Sequence, residues 1–349
     1  MIISETVRVI VITTIAFFVA LFTTPLWYRF IRKQQLHKQL RAEDGAPVFY
    51  ALHRKKEGTP TGGGIIIWST VIGLAIVFGL LNMIFDGPTW HYLNFIDRAE
   101  TYLPLATLLG AALIGLADDW LGVFKMGGAA GGGLKIRYKS ILYLLVAVVG
   151  AWWFYFRLGF DSINVPFLGN YEIGWWYIPV FIFIIFATAF SANETDGLDG
   201  LLGGTSLFAF IALTAVAFVL HRYNLAAFGG AMIGALLAFL WNNIYPAKFF
   251  MGDTGAMSLG ITIGVIAMLT NTALLLPFFA IILVIESLSV IIQIISKKLR
   301  NGKKVFRSTP IHHHFEALGW PESQITMRFW IISAIFCALG LVIFFALHI

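Results

Sequence analysis

Val9-Ile10-Val11-Ile12-Thr13-Thr14-Ile15-Ala16-Phe17-Phe18-Val19-Ala20-Leu21-Phe22-Thr23-Thr24-Pro25-Leu26-Trp27-Tyr28 is a run of twenty residues without a charge. As an α-helix, twenty residues extend about 30 Å, the thickness of the hydrocarbon layer of a bilayer. The run has no small-residue cleavage pattern before Arg29, so it is expected to be a retained span rather than a removed signal peptide.

The rest of the chain repeats this lesson. Of 349 residues 59% are apolar and 12% charged, with a mean hydropathy of +0.83. That charged fraction is about half of what soluble domains carry, so lipid is the solvent. The single cysteine, Cys337, lies in the last apolar run and can form no intramolecular disulfide.

Ten membrane helices are predicted, over 8–28, 62–84, 103–121, 140–157, 175–191, 201–220, 226–243, 255–271, 274–296 and 328–347. The chain therefore reads as one all-α polytopic membrane domain over 1–349, with long polar connections at 29–61 and 297–327. The basic residues test this topology. Connections after the first, third, seventh and ninth helices hold 20 of the 24 Lys and Arg, leaving Arg8, Arg98, Arg157 and Arg222 for the other face. By the positive-inside rule the rich face is cytoplasmic and both termini lie outside, in the periplasm. The net charge of +6 is thus topology first. Nucleic-acid binding is excluded, because the cations flank membrane spans rather than cover a folded basic surface.

The acids Asp118, Asp119, Glu194, Asp196, Asp199 and Asp253 all fall at span ends on that cytoplasmic face. Carboxylates at a membrane boundary are costly to desolvate and are usually functional where they converge. In Asp118-Asp119, neighbours on a helix diverge by about 100°, so one faces the bundle while the other faces water or a metal. The plainer reading is a polar pair that ends a helix. Asn193-Glu194-Thr195-Asp196-Gly197-Leu198-Asp199-Gly200 joins two spans with almost no loop. Asp196 and Asp199 share a face there, and the glycines allow a close backbone, which suits a sugar or nucleotide better than a simple capped turn. In Asn242 to Gly255, Asp253 sits between glycines ahead of a span; it either caps that helix or binds a hard cation beside Asp118 and Asp119, and the cation is the favoured reading.

Two further segments carry polar groups. Arg54-Lys55-Lys56-Glu57-Gly58-Thr59-Pro60-Thr61 offers ammonium, hydroxyl and backbone donors to a phosphate, though alone it reads as a topogenic basic cluster. The run Gly127 to Gly133 before Leu134-Lys135 lacks the spacing of a P-loop and reads as a linker. In Lys304-Val305-Phe306-Arg307-Ser308-Thr309-Pro310-Ile311-His312-His313-His314-Phe315-Glu316, three adjacent histidines cannot all grip one metal from a helix, and no cysteine accompanies them. They suit pyrophosphate oxygens or acid/base work instead. Glu286, inside a predicted span, is a buried acid that needs a partner.

Taken together, Thr309 to Glu316 with Gly319-Trp320-Pro321, Ser289-Val290-Ile291-Ile292-Gln293, Pro246 to Gly255, Asn193 to Gly200, Asp118-Asp119 and Gly58 to Thr61 make the chain resemble the polyprenyl-phosphate sugar-1-phosphate transferases. Within them it is similar to the phospho-N-acetylmuramoyl-pentapeptide transferases. The resemblance implies transfer of phospho-MurNAc-pentapeptide from UDP-MurNAc-pentapeptide to undecaprenyl phosphate, giving lipid I and UMP in peptidoglycan synthesis. It implies Mg²⁺, a cleft on the cytoplasmic face of the bacterial inner membrane, and a homodimer. By the same resemblance Asp118, Asp119, Asp253 and His312 are catalytic, and the three aspartates are metal ligands with Asp253 foremost. Lys56, Thr61, Lys139, Asn193, Asp196, Asp199, Asn243, Phe250, His313 and His314 match substrate-binding positions. The chain departs from the family pattern at Gly62, where methionine is usual, and at Gly122, where lysine is common; Lys135 competes with Lys139 for the conserved lysine position.

The charges agree with this chemistry, since one phosphate attacking a pyrophosphate brings several negative charges together. Direct displacement, with Asp118 orienting or deprotonating the lipid phosphate, is the expected route; a phosphorylated aspartate is the other. A related enzyme using UDP-N-acetylglucosamine is the alternative within transferases. A secondary transporter is the alternative of another class, and would place its charges at the midplane of two matching halves.

Overall fold

The computed structural model describes residues 2–37, 56, 58–85, 87–97, 100–124, 126 and 133–347. Arg54, Lys55, Glu57 and the glycines of 127–132 lie outside the described residues. The helices are α1 (Ile2–Lys33), α2 (Ile65–Ile84), α3 (Pro88–Leu93), α4 (Tyr102–Val123), α5 (Ile136–Trp152), α6 (Tyr177–Thr195), α7 (Leu201–Val219), α8 (Tyr223–Asn243), α9 (Asp253–Leu269), α10 (Leu276–Phe279), α11 (Ile281–Leu299), α12 (Ile311–Ala317) and α13 (Glu322–Ala346). Among the described residues, eight helices are long and apolar enough to cross a bilayer, and a bent pair makes up to nine. Phe22, Val77, Ile141, Ile294 and Ile331 stand exposed on their outer surfaces, as lipid-facing side chains do.

Three features differ from the expected pattern. The predicted helix over 274–296 is broken: the segments Ala273–Phe279 and Ile281–Leu299 meet at 91°. Pro277 is the second residue of the short α10, and Ala280 leaves helical geometry at φ −129° and ψ 37°. The predicted 255–271 helix is α9, of the same 17-residue length but beginning and ending two residues earlier. Finally, among the described residues, which are otherwise mainly helical, there is one antiparallel hairpin, β1 (Ser162–Val165) with β2 (Gly169–Glu172), paired from Ser162 opposite Glu172 to Val165 opposite Gly169.

Helix α9 is the axis of the bundle. All 17 of its residues are buried, between α4 and α6 with α2 and α7 alongside. Small residues make this possible. A Cβ on Gly115 of α4 would lie 2.3 Å from the Asp253 carbonyl oxygen, and one on Gly260 would lie 2.5 Å from that of Thr188 in α6. In lipid, where apolar burial gives no drive to associate, such close backbone contact supplies the packing.

Helix α11 is inverted relative to a soluble amphipathic helix. Glu286, Ser289, Gln293 and Ser296 point inward, while Ile291, Ile292, Ile294 and Ile295 face out. The inward stripe holds the loop that leads to the histidines. Gln293 Oε1 accepts the N–H groups of Val305 at 2.9 Å and Phe306 at 3.1 Å, and Ser296 Oγ donates to the Lys303 carbonyl at 2.9 Å.

The segment 60–64 lies along 249–252. Phe250 N–H donates to the Pro60 carbonyl at 2.8 Å, and Gly63 and Gly64 N–H donate to Phe250 and Met251 carbonyls at 2.9 and 2.8 Å. The turn before α9 is therefore walled by the Gly-Thr-Pro-Thr loop.

Gly115→Ala is expected to lower the thermal midpoint in detergent, because overpacking a closed contact costs about 1–3 kcal/mol. Gly110→Ala in the same helix meets open space. Its midpoint should hold or rise slightly, since Ala in a helix gains roughly 0.5–1 kcal/mol over Gly.

Candidate active site

Helix α9 begins in the interior, so its first N–H groups need partners. Asp119, at the end of α4, provides two of them. Its Oδ1 accepts the Asp253 N–H at 2.9 Å and its Oδ2 accepts the Thr254 N–H at 3.0 Å. The Gly252 carbonyl accepts the next two, from Gly255 at 3.1 Å and Ala256 at 3.0 Å. Gly252 itself sits at φ 78°, and a Cβ there would meet Asp119 Oδ2 at 2.6 Å.

With the two chain segments so fixed, Asp118 and Asp253 converge. Lys139 of α5 bridges them, 2.5 Å from Asp118 Oδ2 and bonded to Asp253 Oδ2. Asn193 Nδ2 donates to Asp253 Oδ1 at 2.9 Å, and the Leu134 N–H donates to Asp118 Oδ1 at 2.6 Å. Lys135 is exposed, so Lys139 is the lysine of the centre. The structure divides the three expected metal-binding acids: two converge, and the third spends both oxygens on a helix terminus. Among the described residues no three His, Cys, Asp or Glu form a metal cluster. Two carboxylates beside a carboxamide nevertheless fit a hard divalent cation, which takes one or two protein carboxylates and fills its shell with water and substrate phosphates.

A second cluster lies across the Asn193–Gly200 turn. Lys56 Nζ is 2.7 Å from Asp199 Oδ1 and bonds Glu322 Oε1, which also accepts the Asp199 N–H at 2.6 Å. Asp199 Oδ2 accepts the Ala247 N–H at 3.0 Å, so its carboxylate is engaged on both sides. Asn243 ties the turn to the 249 strand-like segment, accepting the Gly200 N–H at 3.0 Å and donating to the Phe249 carbonyl at 2.9 Å. The Phe250 ring stands 5.8 Å from Lys56 Nζ. Asp196 ends α6 at the same turn. Thr61 is buried beside Gly252, and its hydroxyl has no partner among the described residues.

The histidines form the short helix α12. His312 is 0% exposed, with Nδ1 3.0 Å from Glu286 Oε2. His313 pairs with Glu316 at 2.6 Å, and His314 Nδ1 accepts the Arg307 N–H at 3.1 Å. The His312 ring packs on Gly197, where a Cβ would lie 2.2 Å from Nε2. The expected catalytic histidine thus lies fully buried against the Asn193–Gly200 turn.

That one turn touches all three clusters, through Asn193, Asp199 and Gly197. The sequence reading missed two residues. Glu322 stands in the first turn of α13, where an acid after Pro321 reads as an ordinary helix-terminal charge. Tyr143 lies one turn after Lys139, 2% exposed, its hydroxyl without a partner among the described residues; the four-residue spacing from Lys139 was the available signal.

A helical membrane bundle with this carboxylate–lysine centre fits the class that the sequence comparison returns: residues 102–271 match Glycosyl transferase family 4. Proteins named phospho-N-acetylmuramoyl-pentapeptide-transferase match almost end to end. The one from Chloroflexus aurantiacus is 35% identical over 351 residues, covering 97% of this chain and 90% of that protein. That from Geobacillus thermodenitrificans is 36% identical over 338 residues, covering 96% and 97%. That from Thermoanaerobacter pseudethanolicus is 38% identical over 329 residues, covering 94% and 96%. The chain belongs to the phospho-N-acetylmuramoyl-pentapeptide transferase family.

Asp119→Ala leaves two N–H groups unpaired inside the bundle, at about 1–3 kcal/mol each. Its thermal midpoint should fall clearly below wild type, whereas Asn193→Ala, which removes one side-chain bond at a part-buried site, should fall less. Equal midpoints would remove the capping role.

Proposed function

We propose that the protein transfers phospho-MurNAc-pentapeptide from UDP-MurNAc-pentapeptide to undecaprenyl phosphate, forming lipid I and releasing UMP. The observation that carries this reading is the convergence of Asp118, Asp253 and Asn193 on Lys139 at one end of the bundle. Phosphoryl transfer asks a protein chiefly for positioning and charge compensation, and this centre offers both. The polar residues gather at that end rather than in two midplane halves, which favours an enzyme over a transporter.

In this reading ten spans cross the bacterial inner membrane, nine by the helices above and the tenth by α9. Both termini lie outside, the site opens to the cytoplasm where the basic connections are, and the chain works as a homodimer, as the resemblance implies. An oxygen of the lipid phosphate bonds to the sugar-bearing phosphorus, and the bond from that phosphorus to the bridging oxygen breaks. UMP leaves with the electron pair. Asp118 orients the lipid phosphate and accepts its proton, Asn193 fixes the Asp253 carboxylate, and Asp119 fixes the helix that carries it. Lys139 balances the two acids, and Lys56, with Phe250 beside it, lines the nucleotide-sugar side. Mg²⁺, held by Asp253 and Asp118, would supply charge neutralisation on the pyrophosphate.

Release of UMP should require a polyprenyl phosphate, UDP-MurNAc-pentapeptide and Mg²⁺, and UDP-N-acetylglucosamine should not substitute. Asp253→Asn should lower the rate by roughly 10²–10³-fold, the usual loss when a group stabilising transition-state charge is removed. Full activity of that variant, or equal turnover of the two UDP-sugars, would overturn the corresponding assignment.

A further inference from the structure

Glu286 is the most deeply buried acid of the described residues that this reaction scheme leaves unused, at 0% exposure in the second turn of α11. An ionised carboxylate in hydrocarbon is expensive, and a buried ion pair is often no more stable than the apolar residues that could replace it. Its position therefore calls for a role other than stability. Glu286 Oε2 meets His312 Nδ1 at 3.0 Å and lies 3.5 Å from the His312 N–H. Both residues are fully enclosed, so neither can touch a substrate in this arrangement. The far side of the same imidazole rests on Gly197, with no room there for a Cβ. Gly197 is the middle of the turn that delivers Asn193 to Asp253 and Asp199 to Lys56.

We infer that Glu286 is a positioning residue for the transfer reaction: it holds the His312 ring against Gly197, and the ring in turn fixes the Asn193–Gly200 turn. The chain of contact runs from a lipid-embedded helix to the phosphate site through one imidazole. It explains why an acid sits in a span and why the residue at 197 has no side chain. It also gives α11 a second tie to the turn, beside the Ser191 to Ser287 hydroxyl bond of 2.8 Å.

The charge state follows from the surroundings. Burial works against the imidazolium, but the Glu286 carboxylate, with Glu316 and Glu194 adding to it, outweighs that and raises the His312 pKa above its ordinary 6.5. His313 is a further titratable neighbour, its ring centroid 4.0 Å away and its imidazole paired with Glu316. A raised folded pKa stabilises the native state below about pH 6.5, and that contribution is lost as pH rises through the folded value. Holding of the turn should therefore weaken on the alkaline side.

The inference rests on the transfer reading only for its kinetic arm, so the test has two arms. In the first, the thermal midpoint of the full-length protein in detergent is followed from pH 6 to 9, and the His312 ring is titrated by NMR. Wild type should lose stability with rising pH. Glu286→Gln, which keeps the shape and an acceptor but not the charge, should lose that slope and titrate His312 at lower pH. In the second arm, UMP release is measured over the same range. Glu286→Gln should lower kcat by about tenfold at neutral pH, move the alkaline limb to lower pH and leave KM within about threefold; Glu286→Asp, which keeps the charge, should recover part of the loss. An unchanged His312 titration in Glu286→Gln overturns the pairing. A normal titration shift with unchanged kcat and pH profile overturns the positioning role. Wild type that releases no UMP would sink the transfer reading, while the first arm would still decide the pairing.

Discussion

A helix that starts inside a membrane protein must have its first N–H groups satisfied there, because neither lipid nor a dry interior will do it. The rest of this structure depends on how α9 meets that demand. Asp119 reaches across from α4 and takes two of the four donors, and the Gly252 carbonyl takes the others. The reach is short, so α4 and α9 must nearly touch, which is why position 115 has no side chain. Once they touch, Asp118 and Asp253 are forced together. Two carboxylates in a confined space need a cation, and among the described residues Lys139 supplies it.

The second organising element is the turn from Asn193 to Gly200. It is held on three sides by Asp253, by Lys56 with Glu322, and by His312. Each hold comes from a different part of the chain. A polar site of this kind is costly in a bilayer, and the cost is confined to one end of the bundle, with the Glu286–His312 pair as its deepest extension.

Much of this was legible in the sequence. Unbroken apolar runs of about twenty residues gave the helices because nothing else satisfies a backbone in lipid, and the acids at their ends marked the site because so few charges were present at all. The break at Ala280 was not legible, since the residues on either side stay apolar and only the backbone changes course. The hairpin at 162–172 was too short to show a pattern. The spacing of Asp118 and Asp119 showed that they diverge but not that Asp119 would face a helix terminus 134 residues away. Glu286 announced that it needed a partner, yet His312 became that partner only through a fold that brings together residues 26 apart across the rest of α11 and a loop. Glu322 gave no signal beyond an acid at a helix start.

The most direct test of the central claim is the mass of the lipid product. Incubation of the purified protein with UDP-MurNAc-pentapeptide, undecaprenyl phosphate and Mg²⁺, followed by mass spectrometry of the lipid fraction, should show undecaprenyl phosphate gaining the mass of one phospho-MurNAc-pentapeptide, with UMP in equal amount. A lipid gaining the sugar without its phosphate, with UDP as the co-product, would contradict the account.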